Sequence, residues 1–228
     1  MKNINEIQSN YNRIVDNIAK AKQAADRSDT VRIMAVTKTV SVERINQAVS
    51  CGVDLLGENR VQEFLEKCAD YKSSEIHFIG GLQTNKVKYI VNRDSKITMI
   101  HSVDSLKLAQ EIDKRAGNAS IKMDILVEVN IAGEASKHGA FPERAGELVE
   151  AIHELENIRV RGLMTIPPFG EKPEAGGKHF ERMQRLYEDM KSRYELDTLS
   201  MGMSGDYEQA ILYGANIVRL GTALFGHR

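Results

Sequence analysis

Eight short apolar runs punctuate this chain, and each of the first seven gives way to helical periodicity or a helix start. They lie at residues 31–36, 53–59, 76–80, 97–102, 123–130, 160–166, 198–201 and 217–220. The repeat length runs from about twenty to about forty residues, which is the spacing of parallel βα units. Near-continuous runs such as Val31, Ile33, Met34, Ala35 and Val36 belong to strands covered on both faces. Eight such units predict a closed (β/α)8 barrel of the TIM type, in the α/β class; a doubly wound open sheet is the main alternative. Ahead of the first strand, Ile4, Ile7, Tyr11, Ile14 and Ile18 alternate steps of three and four, so residues 1–28 read as one extra amphipathic helix packing on the barrel. Between strands, Ser41 is placed to cap a helix that ends near Gly52, and Pro142 suits a first helical turn. The irregular segment 167–177 is the longest loop, and no linker divides the series, so residues 1–228 are expected to form a single domain.

Charge and composition narrow the function classes. With 31 basic and 32 acidic residues the formal net charge is −1, which gives no general attraction to nucleic acid or anionic membrane. Cys51 and Cys68 have no metal-type spacing and suit a reducing compartment. The chain begins in a charged helical pattern, and no apolar run approaches the length of a membrane span, so a cytoplasmic protein is expected.

The chemistry gathers at strand ends. Lys38 closes the first strand between Thr37 and Thr39. In parallel barrels the carboxyl ends are where ligands collect, and an amine there can condense with a carbonyl if burial or a neighbouring cation leaves some of it neutral. Taken alone, such a lysine is more often simply solvated. Across the barrel, strand seven leads into Ser200-Met-Gly-Met-Ser204-Gly-Asp206 and strand eight into Arg219-Leu-Gly221-Thr222. Barrels commonly seat a phosphate between these two loops, and Ser204, Gly221 and Thr222 offer hydroxyls and an unobstructed backbone; the same glycines could also serve only tight turns. A carbonyl-reactive lysine opposite a phosphate cradle suits a phosphorylated aldehyde, and pyridoxal 5′-phosphate fits that description; a Schiff-base aldolase acting on a sugar phosphate, which also needs a lysine and a phosphate site, is a third and lesser reading.

Several longer motifs narrow this choice. Ala35-Val-Thr-Lys38-Thr, Gly57-Glu-Asn-Arg60, His77-Phe-Ile-Gly80 with Leu82-Gln-Thr-Asn-Lys86, Gly162-Leu-Met-Thr-Ile-Pro-Pro168, Leu199-Ser-Met-Gly-Met-Ser204-Gly-Asp206 and Val218-Arg-Leu-Gly-Thr222 together resemble the pyridoxal phosphate homeostasis protein family. The resemblance runs from about Val31 to the C-terminus. It implies a fold like the N-terminal barrel of alanine racemase, with the cofactor held as an internal aldimine on Lys38. It further implies Ser204, Gly221 and Thr222 at the phosphate and Arg219 near the pyridine nitrogen, with Asn59, His77 and Met203 lining the pocket. An arginine beside that nitrogen resists its protonation and weakens the ring as an electron sink. Only a short tail follows strand eight, so the racemase's C-terminal β domain, its second-base tyrosine and its dimer are not expected. A monomer that carries or buffers pyridoxal phosphate is the implied function, with apo-enzymes as recipients, effects on amino-acid and keto-acid balance, and no established catalytic residue. A low-activity racemase or decarboxylase is the alternative.

Other signals point nowhere in particular. Gly176-Gly-Lys178 lacks the first glycine of a phosphate loop, Lys172 standing there, and has His179 in place of the magnesium-binding hydroxyl. The six histidines, His77, His101, His138, His153, His179 and His227, show no ligand spacing, so no metal is expected. Lys86, Lys88 and Lys137 read as a solvated basic lip.

Overall fold

In a computed structural model, which describes residues 2–73, 75–134, 137–168 and 173–226, the first buried run is strand β1 (Arg32–Val36). Met34 and Ala35 are both fully buried, on opposite faces. The alternation is the strand period at work: Met34 and Val36 pack with Leu55, Ile79 and Ile217 inside the barrel, while Ile33 and Ala35 join the core beneath the helices.

The remaining strands are β2 (Leu55–Glu58), β3 (Glu75–Phe78), β4 (Ile97–Val103), β5 (Met123–Glu128), β6 (Ile158–Met164), β7 (Thr198–Ser200) and β8 (Ile217–Leu220). All are parallel, each pairs with the next, and β8 returns to β1 in the register Met34↔Arg219 and Ala35↔Leu220. The barrel is therefore closed, and the open-sheet alternative is excluded. Helices α1 (Lys2–Ala24), α2 (Val42–Ser50), α3 (Val61–Lys67), α4 (Val87–Ile90), α5 (Leu106–Ala119), α6 (Pro142–His153), α7 (Pro173–Tyr194), α8 (Tyr207–Leu212) and α9 (Thr222–Phe225) fill the intervals.

Local chemistry sets several boundaries. The Ser41 hydroxyl accepts from the Arg44 N–H to start α2, and Gly52 follows its end at φ +115°, a conformation that side chains resist. Pro142 opens α6, where its missing N–H costs nothing. Helix α1 buries Ile7, Ile14, Ile18 and Ala21 and packs against α8, α9 and α2. Just beyond it, Arg27 Nη1 donates to the carbonyls of Ile211 (2.6 Å) and Ala215 (3.1 Å).

Some expected boundaries move. Strand β3 begins at Glu75 and ends at Phe78, and β6 spans Ile158–Met164, two residues earlier than the apolar run implied. The expected loop 167–177 is shorter, because α7 starts at Pro173 and carries Gly176 and Gly177 within it; Lys172 lies outside the described residues, as does His227. Phe180, Met183, Tyr187, Met190 and Tyr194 then form one buried face that outweighs the low helix propensity of the two glycines. Gly162 is required for another reason: a Cβ there would lie 1.7 Å from the Thr198 carbonyl oxygen, so only glycine lets β6 and β7 approach.

Candidate functional site at the carboxyl-end mouth

Lys38, Gly221 and Thr222 line a single cavity of about 640 Å³, together with Val36, Thr39, Ser41, Arg44 and Glu6. Lys38 continues the inward alternation of Met34 and Val36 beyond the strand end and is exposed, not buried. Arg44 also lines this cavity, and its Nη2 donates to the Phe225 carbonyl.

The turn that presents Lys38 is anchored from below. Thr37 is fully buried; its Oγ1 donates to the Gly57 carbonyl at 3.0 Å and to Glu58 Oε1 at 2.5 Å. Tyr71 donates to the same carboxylate oxygen at 2.6 Å. Burial pushes the Glu58 carboxyl up, against the lowering effect of these two donors. Thr39 adopts φ +58°, and its N–H donates to Glu63 Oε1 at 2.5 Å.

Beside the lysine, since β8 is the hydrogen-bonded neighbour of β1, the loops after β7 and β8 are tied together. The Ser204 hydroxyl accepts from the Ala223 N–H at 3.0 Å, and Asp206 Oδ1 accepts from the Met203 N–H at 2.5 Å. In the Ser204 bond the hydroxyl oxygen is acceptor, so its own hydrogen can point elsewhere. A Cβ on Gly221 would meet only Val36, at 3.8 Å, so the backbone is open toward the cavity. Among the described residues, the charged side chains lining the cavity are Lys38, Arg44 and Glu6. Asn59 sits half-buried after β2, its carbonyl oxygen 2.0 Å from where a Cβ on Gly80 would be.

Arg219, on β8, is 3% exposed. Nη1 donates to both the carbonyl and the hydroxyl of Ser200 at 2.8 Å, and Nη2 to the Thr165 carbonyl at 2.7 Å. Burial pushes this guanidinium down to about 10, partly offset by Glu128 and Asp206, and it remains a cation at neutral pH. Glu128, at the end of β5, is pushed up to about 7, chiefly by burial and then by Asp104.

His77 departs from the expected arrangement. Like Asn59, Met203, Ser204 and Arg219, it is not among the residues lining the Lys38 cavity; unlike them, it lines a second one of about 310 Å³ at the opposite, amino-end mouth, with Arg32, Glu75, Asp124, Arg161 and Asp197. His77 shares the inward face of β3 with Glu75, two residues before it, and both line the amino-end cavity. Its Nε2 lies 3.1 Å from Glu75 Oε1 and its Nδ1 2.9 Å from His101 Nε2, while His101 Nδ1 lies 3.1 Å from the Ser200 hydroxyl. The charges around the amino-end cavity are paired with one another: Arg32 with Glu75 and Asp54, Arg161 with Asp124 and Asp197. Such a lattice at the amino-terminal face of a barrel reads as stability.

The Alanine racemase, N-terminal domain family matches residues 9–228. The pyridoxal phosphate homeostasis protein of Aquifex aeolicus is 46% identical over 221 residues, covering 95% of this chain and 96% of that protein. The chain belongs to the pyridoxal phosphate homeostasis protein family. Two solved structures agree with this family's fold. One, described as an unknown protein from Bifidobacterium adolescentis, superposes with a TM-score of 0.92 at 33% identity, covering 98% of this chain and 96% of its own. The other, PipY of Synechococcus elongatus with pyridoxal phosphate bound, gives 0.79 at 30% identity, covering 92% and 100%.

Sequence reasoning missed Arg44, Glu128, His101 and Ser200. Strand alternation from Met99 would have turned His101 inward, and alternation from Thr198 would have done the same for Ser200. Arg44 sits on a helix beyond the first loop, and no periodic signal marks it. Lys86 and Lys88, from the expected basic lip, lie over the Tyr89 ring at 5.6 and 4.9 Å, and Lys137 pairs with Glu134 at 3.3 Å; residues 135 and 136 between them lie outside the described ones.

Proposed function

We propose that this protein binds pyridoxal 5′-phosphate at the carboxyl-end mouth, attached through the Lys38 amine, and serves the homeostasis of that cofactor. The observation that carries the reading is that Lys38, Gly221 and Thr222, far apart in sequence, line one cavity. Lys38 supplies the amine. Ser204, Gly221 and Thr222 hold the phosphate, and Arg219 faces the pyridine nitrogen and keeps it unprotonated. Asn59 and Met203 flank the ring. When bound, pyridoxal phosphate supplies an electrophilic aldehyde and an electron-accepting ring. A buried arginine at the nitrogen weakens the second property, which suits retention and release better than turnover. The protein acts as a cytoplasmic monomer that passes its cofactor to apo-enzymes.

The test is absorbance after loading with pyridoxal phosphate. A visible band that Lys38→Ala abolishes is expected, with transfer from the loaded protein to a cofactor-free transaminase. The absence of a band, or its survival in Lys38→Ala, overturns the reading. Sustained turnover of an amino acid by the loaded protein would instead make it an enzyme.

A further inference from the structure

Glu75, His77, His101, Ser200 and Arg219 form one hydrogen-bonded chain through the barrel interior, crossing from β3 and β4 to β7 and β8. The direction of each hydrogen follows from the Glu75 end. His77 and Arg32 hold the Glu75 carboxyl down to about 2, so it is ionised at neutral pH and only accepts. His77 therefore carries its hydrogen on Nε2. Burial lowers both histidines, and Arg219 adds to this at His101, so the imidazoles are neutral. His77 Nδ1 is then an acceptor and takes the Nε2–H of His101; His101 Nδ1 in turn takes the Ser200 O–H. The Ser200 oxygen is left to accept from Arg219, which has only hydrogens to offer.

A chain ordered this way could conduct a proton or hold its members in place. Conduction would take a proton from a group near 10 and leave it on one near 2, uphill by many decades. Holding is the role the energetics allow.

We propose that Glu75, at the mouth remote from Lys38, fixes the Arg219 guanidinium through His77, His101 and Ser200, making these four positioning residues for Arg219. The charged groups around the chain are Arg32 and Asp124 near His77, and Glu128 and Asp206 near Arg219. With Nη1 committed to two Ser200 acceptors and Nη2 to Thr165, the guanidinium plane cannot turn without breaking the row. What this does for a pyridine nitrogen rests on the function proposed above; the tautomers and the guanidinium do not.

Nitrogen-15 NMR of the cofactor-free protein at neutral pH tests the chain. His77 and His101 should both be the Nε2–H tautomer, with slowly exchanging Arg219 Nη–H signals. In Glu75→Gln, whose amide can donate as well as accept, both histidines should populate mixed tautomers and the Arg219 signals should broaden. Ser200→Ala should broaden the Arg219 signals while His77 stays Nε2–H, and Ser200→Thr should restore them. If Glu75→Gln does not fold, the Ser200 pair decides. An Nδ1–H or charged His101 in the native protein, or Arg219 signals indifferent to the variants, overturns the proposal. For protein loaded with pyridoxal phosphate, Ser200→Ala should raise Kd about tenfold, the scale on which outer partners of a bound group act. An unchanged Kd beside broadened Arg219 signals overturns the positioning role. A native protein that binds no pyridoxal phosphate would remove the proposed function and leave the NMR result to decide the chain.

Discussion

Thr37 Oγ1 lies 2.5 Å from Glu58 Oε1, one residue before Lys38, so the end of β1 is tied to the end of β2 directly beneath the lysine. Removing the hydroxyl leaves a buried carboxyl with Tyr71 as its remaining side-chain donor. Thr37→Val should cost about 1–3 kcal/mol of stability, the penalty of a buried polar group losing a partner. Urea unfolding would measure it, and a cost near zero would show that the tie carries no weight.

Glu128 gives the protein a pH dependence of definite sign. Burial and Asp104 raise its carboxyl from 4.5 to about 7, so between those values the folded chain holds a proton that the unfolded chain has released. Its contribution is complete below about 4.5 and disappears as pH rises through about 7. Glu128→Gln should therefore be more stable than the native chain at pH 8, by on the order of 3 kcal/mol, with the gap closing toward pH 4.5. Melting temperatures across this range would reveal a gap of opposite sign if the carboxylate were instead favoured by Arg219.

Two glycines should respond to alanine in opposite ways. At Gly162 the added methyl meets the Thr198 carbonyl at 1.7 Å, and the β6–β7 pairing must give way, so the chain should unfold or lose several kcal/mol, as overpacked sites do. At Gly221 it meets only Val36 at 3.8 Å, and stability should change by about 0.5 kcal/mol or less. Titration of Gly221→Ala with pyridoxal phosphate should nonetheless show weaker binding, because the methyl occupies the cradle. Unaltered affinity would move the phosphate elsewhere.

The amino-end lattice should matter for stability and not for binding. Arg161→Ala leaves Asp124 with Arg159 as its remaining ion-pair partner and removes the ion pair of Asp197. A loss of about 1 kcal/mol or less is expected for ion pairs this exposed, with the pyridoxal phosphate Kd unchanged. A weakened Kd would mean that the two mouths communicate through more than the histidine row.

How much of this was legible in the sequence depends on the signal involved. Periodicity exposed the strands and their order, because inward and outward positions alternate wherever both faces are covered, as Ile33 to Val36 show. It failed where the apolar run overshoots its ladder: Ile79 packs inside the barrel yet lies beyond the end of β3, and α7 begins at Pro173 ahead of its first periodic residue. Of the candidate residues, Lys38, Gly221 and Thr222 share a cavity, whereas His77, placed beside them by family resemblance, lines the other mouth.

The sequence by itself determined the eightfold βα alternation, the lysine at the first strand end and the small-residue loops after the seventh and eighth strands, since each is written in local periodicity or in a contiguous motif. Only the tertiary structure decided that the sheet closes through β8 and β1, that Arg44 shares the lysine's cavity, and that Glu75 reaches Arg219 through two histidines and a serine. The reason is physical. Which inward side chains meet across a barrel depends on strand tilt and stagger, which one-dimensional spacing does not encode.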